Sequence, residues 1–182
     1  MDHADHVALI RDGVADRPGA WADLGSGTGA FTLALADLLG GRGSIVSVDR
    51  DRGALAEQHR RMAAAFPSAD VGYVEADFTG ALELPALDGI LMANSLHFIR
   101  DKEPVLRRLL GHLRPGGRFL LVEYDADHGN PWVPHPISYA SWVRMAPGAG
   151  LSGTRLIGRV PSRFLGAIYA AASETPVPAL GP

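Results

Sequence analysis

The chain has no cysteine and a single lysine, Lys102. Without thiols it can build neither a disulfide framework nor a thiolate metal site. Positive charge is also scarce: 17 Lys and Arg stand against 20 Asp and Glu, a net charge of −3. A surface of that balance lacks the basic excess that binding to a phosphate backbone needs. No apolar run reaches the roughly 20 residues of a membrane-spanning helix. The opening segment, Met1-Asp-His-Ala-Asp-His6, is acidic and polar, unlike a secretory leader. These absences lead to the expectation of a cytoplasmic protein with no nucleic-acid partner and no membrane. Arg stands almost everywhere for Lys, among abundant Ala and Gly, a usage that suits a GC-rich bacterial genome.

What is present is ordinary for a globular domain: 182 residues, 47% hydrophobic and 20% charged. A chain of that length buries about 70% of its unfolded surface. One domain is expected over residues 1–173, with a Pro-rich, frayed tail from 174 to 182. Strand-like and helix-like segments alternate. After a short helix over Ala4–Asp12 come a strand Ala20–Leu24, a helix Thr28–Leu39, a strand Ser44–Val48, a helix Arg52–Phe66 and a strand Val71–Glu75. A strand Asp88–Ala93, a helix Glu103–Leu113 ended by Pro115-Gly-Gly117, and a strand Arg118–Tyr124 follow. Such alternation implies a parallel sheet covered by helices on both faces. Beyond a polar loop, Ile137–Met145 reads as a helix that Pro147 should stop near Ala146. Thr154–Val160 and Leu165–Ala172 are so close that they must pair antiparallel.

The most informative stretch is Trp21-Ala-Asp-Leu-Gly-Ser-Gly-Thr-Gly-Ala-Phe31. A strand enters a turn holding Gly25, Gly27 and Gly29, and a helix starts at once. Glycines there let a ligand lie against bare backbone at a helix N-terminus. Gly25 to Ala30 also fits the loose dinucleotide fingerprint. Asp23 changes the expected ligand, because a carboxylate would repel a pyrophosphate. It would attract the α-ammonium and sulfonium of S-adenosylmethionine. Asp49 and Arg50 follow the second strand. A carboxylate there can accept both ribose hydroxyls, or it can cap the helix from Arg52.

The pattern Asp-x-Gly-x-Gly-x-Gly resembles motif I of the class I S-adenosylmethionine-dependent methyltransferases. The resemblance implies a Rossmann-like seven-stranded mixed α/β sheet: five parallel strands plus a C-terminal antiparallel hairpin, with helices on both faces. It implies S-adenosyl-L-methionine as cofactor, bound around Asp23, Gly25, Ser26, Gly27, Gly29, Asp49 and Arg50. Asp77 would accept from the adenine amino group, with the Phe78 backbone at the ring edge; Asp77 could equally cap a turn. Asn94 and Ser95, after the fourth strand, would meet the methionine part. The Pro-Gly-Gly strand entry is also typical of the family. Missing is the Asn/Asp-Pro-Pro-Tyr/Phe pattern that resembles the amino-methylating enzymes of nucleic-acid bases.

The resemblance leaves the acceptor open, and a small molecule is expected. An oxygen or ammonium acceptor must lose a proton, so a base can be useful. His97 is the candidate, since imidazole ordinarily titrates near neutrality; it could instead pack against the following helix. Glu123-Tyr-Asp-Ala-Asp-His128 holds potential metal ligands, but adjacent loop residues seldom converge on one ion, and no metal is expected. Its other readings are a solvated loop or a group that orients the acceptor. Trp132 and Tyr139 could line a pocket or belong to the core, and Trp142 reads as core. Little chain precedes the first strand to cover the site, so the site is open, the acceptor small, or a lid comes from a homodimer partner. Two rival functions remain: a nicotinamide-dependent oxidoreductase, for which no Tyr-x-x-x-Lys pair is visible, and a non-catalytic S-adenosylmethionine-binding protein.

Overall fold

The computed structural model describes residues 1–178. Its centre is a seven-stranded sheet made of β1 (Gly19–Leu24), β2 (Gly43–Asp49), β3 (Asp70–Glu75), β4 (Leu87–Ala93), β5 (Leu113–Tyr124), β6 (Ser152–Ser162) and β7 (Gly166–Glu174). The strand order is β3-β2-β1-β4-β5-β7-β6. The first five strands are parallel, and β7 lies antiparallel between β5 and β6. The expected mixed sheet is therefore present. The order reverses between β1 and β4, so the C-terminal ends of β1, β2 and β4 open onto the crevice where such sheets bind ligands.

Five helices cover the sheet: α1 (His3–Val14), α2 (Ala30–Leu39), α3 (Arg52–Ala65), α4 (Lys102–Leu110) and α5 (Tyr139–Ala149). Strand side chains alternate between two cores, as the period of two requires. Trp21, Leu91, Leu120 and Val122 pack with residues of α1, α2 and α3, such as Ile10, Leu35 and Met62. Ala22, Ile90, Met92, Phe119 and Leu121 pack with residues of α4 and α5, such as Leu106, Leu109 and Trp142. Trp142 is thus core, and its ring lies 5.6 Å from that of Phe119. Among the described residues no helix is long and apolar enough to cross a membrane.

Local chemistry explains the helix starts. Asp2 and Asp5 form a reciprocal capping box on α1. Asp51, not Asp49, caps α3, accepting from the Gly53 and Ala54 N–H groups at 2.8 and 3.1 Å. The alternative role for Asp49 as that helix's cap is thereby corrected.

Other boundaries differ from expectation for identifiable reasons. α2 starts at Ala30, because Gly29 takes a left-handed cap conformation. α4 ends at Leu110, and Leu113 already pairs with Leu87 of β4. Pairing then resumes at Gly89 with Arg118, so Arg114–Gly117 is looped out of β5 and Pro115-Gly-Gly117 forms a strand bulge rather than a helix stop. α5 runs through Pro147 to Ala149 and ends on the left-handed Gly150, with the Leu151 N–H donating to the Ala146 carbonyl at 3.0 Å. Pro147 is tolerated in the last turn, where that capping geometry takes over from ordinary helix bonding.

Residue 174, expected to open the tail, lies in the sheet. Glu174 closes β7, where its carboxylate accepts from Arg17 and Arg118 at 2.8 Å each. Thr175 is held by the Arg114 carbonyl. Residues 179–182 lie outside the described residues.

Candidate active site

The turn between β1 and α2 is built on positive φ at Gly25, Gly27 and Gly29, at 75°, 54° and 83°. A side chain at Gly25 would meet Ser95 at 2.5 Å, so packing demands glycine there. At Gly27 nothing lies within 4 Å of an added Cβ. That position faces open cleft, and its backbone is available for close approach by a ligand. Gly29 lies against the Gln58 side chain.

The turn spends its amides on protein acceptors. The Gly25 and Ser26 N–H groups donate to the Val48 carbonyl at 2.8 and 3.1 Å. The Gly27 N–H donates to Asp49 Oδ2 at 2.7 Å, and that of Gly29 to the Ser26 carbonyl at 3.0 Å. A pyrophosphate site needs such amides free and aimed at the anion; here they are occupied. The Ser26 hydroxyl is likewise engaged, donating to Gln58 and accepting from Ser47.

A cleft of about 480 Å³ collects the residues expected at the strand ends: Gly25, Gly27, Asp49, Arg50, Asp77, Phe78, Asn94 and Ser95. Asp49 also accepts from the Asp51 N–H, so each of its oxygens already holds one backbone donor and keeps acceptor capacity. Asp77 is exposed and accepts from the Thr79 hydroxyl and N–H. Those bonds, with Arg50 nearby, hold its carboxyl below the usual value. Ser95 lines the cleft, and its hydroxyl donates to the Leu24 carbonyl at 2.7 Å, tying β1 to the segment after β4.

A second cavity of about 250 Å³ shares Gly25, Gly27 and Asn94 with the first, and adds Asp23, His6 and Phe31. Two acceptors along it have no partner, Asp23 Oδ1 and Asn94 Oδ1. The other Asp23 oxygen accepts from the Thr32 hydroxyl at 2.6 Å. Burial raises the Asp23 carboxyl to about 7, against the Thr32 hydrogen bond and with help from the charge of Asp49. Asn94 is the only non-glycine residue with positive φ among those described, at 52°. Left-handed backbone thus stands beside a buried polar atom without a partner. A carboxylate with spare acceptor capacity in one lobe and two unpaired acceptors in the other fit a nucleoside joined to an ammonium-bearing side chain, as in S-adenosylmethionine.

His97 sits in a single 3₁₀ turn, Leu96–Phe98, just beyond β4. It is buried, with Nδ1 2.9 and 3.0 Å from the two carboxylate oxygens of Glu123. Glu123 is fully buried in β5 and also accepts from the His97 and Tyr124 N–H groups. The solvated-loop reading of Glu123 is corrected: it faces inward as part of a strand. A carboxylate can only accept, so Nδ1 carries the proton of that bond, and Nε2 makes no hydrogen bond among the described residues. Lys102 anchors the same turn, donating to the Ile99 and His135 carbonyls at 2.7 Å each. Burial lowers the Lys102 ammonium, and the charge of Glu123 opposes that.

Sequence reasoning did not find the His97–Glu123 pair, nor the contributions of Phe98 and Ile99 to the cleft wall. Strand adjacency was the only available signal for the pair, since β4 and β5 are neighbours. Among the described residues no three His, Asp or Glu side chains converge as metal ligands.

A Rossmann-like sheet with an acid-lined cleft at its switch point defines a nucleoside-cofactor-binding domain. The family follows from comparison with known proteins. The model of a family described as "Methyltransferase domain" matches residues 22–119, more than half of the chain, and the chain belongs to that family. The family is that of the class I S-adenosylmethionine-dependent methyltransferases. Relatives include the ubiquinone/menaquinone biosynthesis C-methyltransferases UbiE of Pasteurella multocida, 31% identical over 105 residues, and of Ectopseudomonas mendocina, 33% identical over 113 residues. These alignments cover 57% and 60% of this chain but 39% and 43% of the relatives, so the chain spans less than half of their length.

Solved structures share the fold. A Burkholderia thailandensis 1,6-didemethyltoxoflavin-N1-methyltransferase, with that compound and S-adenosylhomocysteine bound, superposes with a TM-score of 0.76 at 18% identity over 96% of this chain and 78% of its own. A SAM-dependent methyltransferase from Aquifex aeolicus gives 0.69 at 16% identity, covering 96% of this chain and 98% of its own. The nicotinamide-dependent reading gives way to the family match.

Proposed function

We propose that the protein methylates a small-molecule acceptor by in-line transfer, with His97 as general base and Glu123 holding it. The observation that carries this reading is the His97–Glu123 pair at the ends of β4 and β5, one residue from Phe98 in the cleft wall. The names of the UbiE relatives and of the toxoflavin-type neighbour also favour small acceptors.

The cofactor supplies a methyl group already activated by its sulfonium. The protein residues then divide into binding and base. Asp49 takes the ribose diol, Asp77 and the Phe78 backbone the adenine edge, and Arg50 borders that end. Asp23 and Asn94 take the ammonium through their unpaired oxygens. Gly25 and Gly27 let backbone and cofactor meet, while Gly29, Ser26 and Ser95 shape the turn. His97 Nε2 removes the acceptor proton as the acceptor is aligned. Residues 1–173 act as a single methyltransferase domain, and an open cleft leaves room for a homodimer partner to cover it.

The test is methyl transfer from labelled S-adenosylmethionine to a panel of small acceptors. His97→Ala should cut turnover by about 10²–10⁴-fold while S-adenosylhomocysteine affinity holds. Full turnover per folded molecule in that variant would remove His97 from the chemistry.

A further inference from the structure

Four aromatic rings, joined through His97, form a row at the surface, and three of them are exposed. Phe98, Trp132 and Phe164 are 58%, 71% and 48% exposed, although each is a large apolar side chain. Tyr124 is half-buried between them. The row is continuous: His97 to Phe98 at 4.3 Å between ring centroids, His97 to Tyr124 at 6.1 Å, Tyr124 to Phe164 at 5.8 Å, and Phe164 to Trp132 at 6.3 Å. The rings come from four separate segments: the turn after β4, the end of β5, the loop before α5, and the β6–β7 hairpin tip. Phe98 belongs at once to the row and to the cofactor cleft.

The backbone beneath these rings is held in place. Asn130 Oδ1 accepts from the Trp132 and Val133 N–H groups at 2.9 and 3.0 Å. The Phe164 N–H donates to the Ser162 hydroxyl. The His135 N–H donates to the His97 carbonyl, locking the Trp132 loop to the turn that carries the base.

We propose that this row is the acceptor subsite, and that the acceptor is a planar aromatic ring carrying an ionisable hydroxyl. The inference rests on the reading of His97 as base. Offset and edge-on contacts between rings favour a flat aromatic guest over a saturated one. The acids beside the row are engaged: Glu123 accepts three N–H groups, Asp125 accepts from Arg159 and the Tyr139 N–H, and Asp127 accepts from Ser138. His97, in ring contact with Phe98 and Tyr124, is the base nearest the row, which suits a neutral hydroxyl. In the transfer the methyl–sulfur bond breaks with its electron pair going to sulfur, the methyl–oxygen bond forms, and the hydroxyl proton goes to His97 Nε2.

The test is calorimetry on protein loaded with S-adenosylhomocysteine, titrated with 4-nitrophenol and, separately, cyclohexanol. 4-Nitrophenol should bind and cyclohexanol should bind at least about tenfold more weakly. Trp21 and Trp142 are fully buried, so iodide quenching reports on Trp132 and should fall as the phenol binds. Phe164→Ala should weaken the phenol about tenfold and leave S-adenosylhomocysteine affinity unchanged. Trp132→Leu, at a more exposed ring, provides the same test should the first variant fold poorly. Equal affinity for the two probes, or unchanged phenol binding in both variants, would overturn the proposal. So would a wild-type dimer that Phe164→Ala converts to monomer, since the row would then be a subunit contact. His97→Ala separates the two readings: loss of turnover with phenol binding intact supports both, and full turnover removes the base while the calorimetry still judges the row.

Discussion

Replacing Asp23 by Asn removes one charge from a buried carboxylate and keeps its shape and its bond to Thr32. The Asp23 carboxyl is raised to about 7 by burial, so its ionised fraction changes across neutral pH. If the ionised form holds the cofactor's ammonium, about a tenth of the protein is competent at pH 6, half at pH 7 and nine-tenths at pH 8. Wild-type affinity for S-adenosylmethionine should then rise about tenfold over that range. At pH 8 the variant lacks a charge-assisted contact worth about 1.5–3 kcal/mol, a ten- to hundredfold loss. At pH 6 wild type and variant should differ about tenfold less than at pH 8.

Calorimetry at the three pH values on both proteins measures this, and the ratio of affinities cancels any titration of the ligand itself. A ratio constant from pH 6 to 8, or tighter binding by the variant at pH 8, would refute the reasoning. Stability without cofactor moves the opposite way. A carboxyl raised above its unfolded value of about 4 disfavours the fold once ionised, so wild-type stability falls as pH climbs through 4 to 7. Asp23→Asn escapes that loss, and its advantage in Tm should grow across the same window.

Other substitutions test the rest of the frame. Asp49→Ala removes the acceptor facing the ribose and the partner of the Gly27 N–H; S-adenosylhomocysteine affinity should drop about ten- to hundredfold per bond lost, and an unchanged Kd would free Asp49 of that role. Gly27→Val places a branched side chain at a φ of 54°, costing roughly 1–2 kcal/mol and filling the cleft; binding should vanish while circular dichroism stays native, and normal binding would place the cofactor elsewhere. Arg118, 4% exposed, donates to Gly13, Asp16 and Glu174. Arg118→Ala should cost roughly 1–3 kcal/mol of stability with turnover per folded molecule intact. Glu174 is held below its ordinary value chiefly by the Arg118 hydrogen bond, so wild-type stability falls as acid titrates it. That acid-side loss should be shallower in Arg118→Ala, as urea melts across acidic pH would show.

The parts of this protein readable from sequence share one property: each signal lies within a few residues of the structure it specifies. Alternating apolar segments mark the five parallel strands. The glycine turn with Asp23 marks the ligand end of β1, and Asp49, Asp77 and Asn94 each follow a strand. They line one cleft because a parallel sheet puts all its C-terminal ends on the same edge, a rule that needs no coordinates. Errors arose where a local signal competed with pairing. Pro115-Gly-Gly117 reads as a helix stop, yet Leu113 is captured by Leu87 and the motif becomes a bulge. Pro147 reads as a terminator, yet the Gly150 cap completes the last turn.

By itself, then, the sequence determined the sheet type, the glycine turn at the end of β1 and the absence of thiol chemistry, all consequences of residue type and short spacing. The tertiary structure alone decided which groups face one another. His97 and Glu123 are 26 positions apart and meet because β4 pairs with β5 in one particular register. Phe98, Tyr124, Trp132 and Phe164 form a row because the hairpin tip and the Trp132 loop fold back beside that pair. Such meetings depend on strand order and loop closure, which are set by the balance of burial and chain entropy over the whole domain.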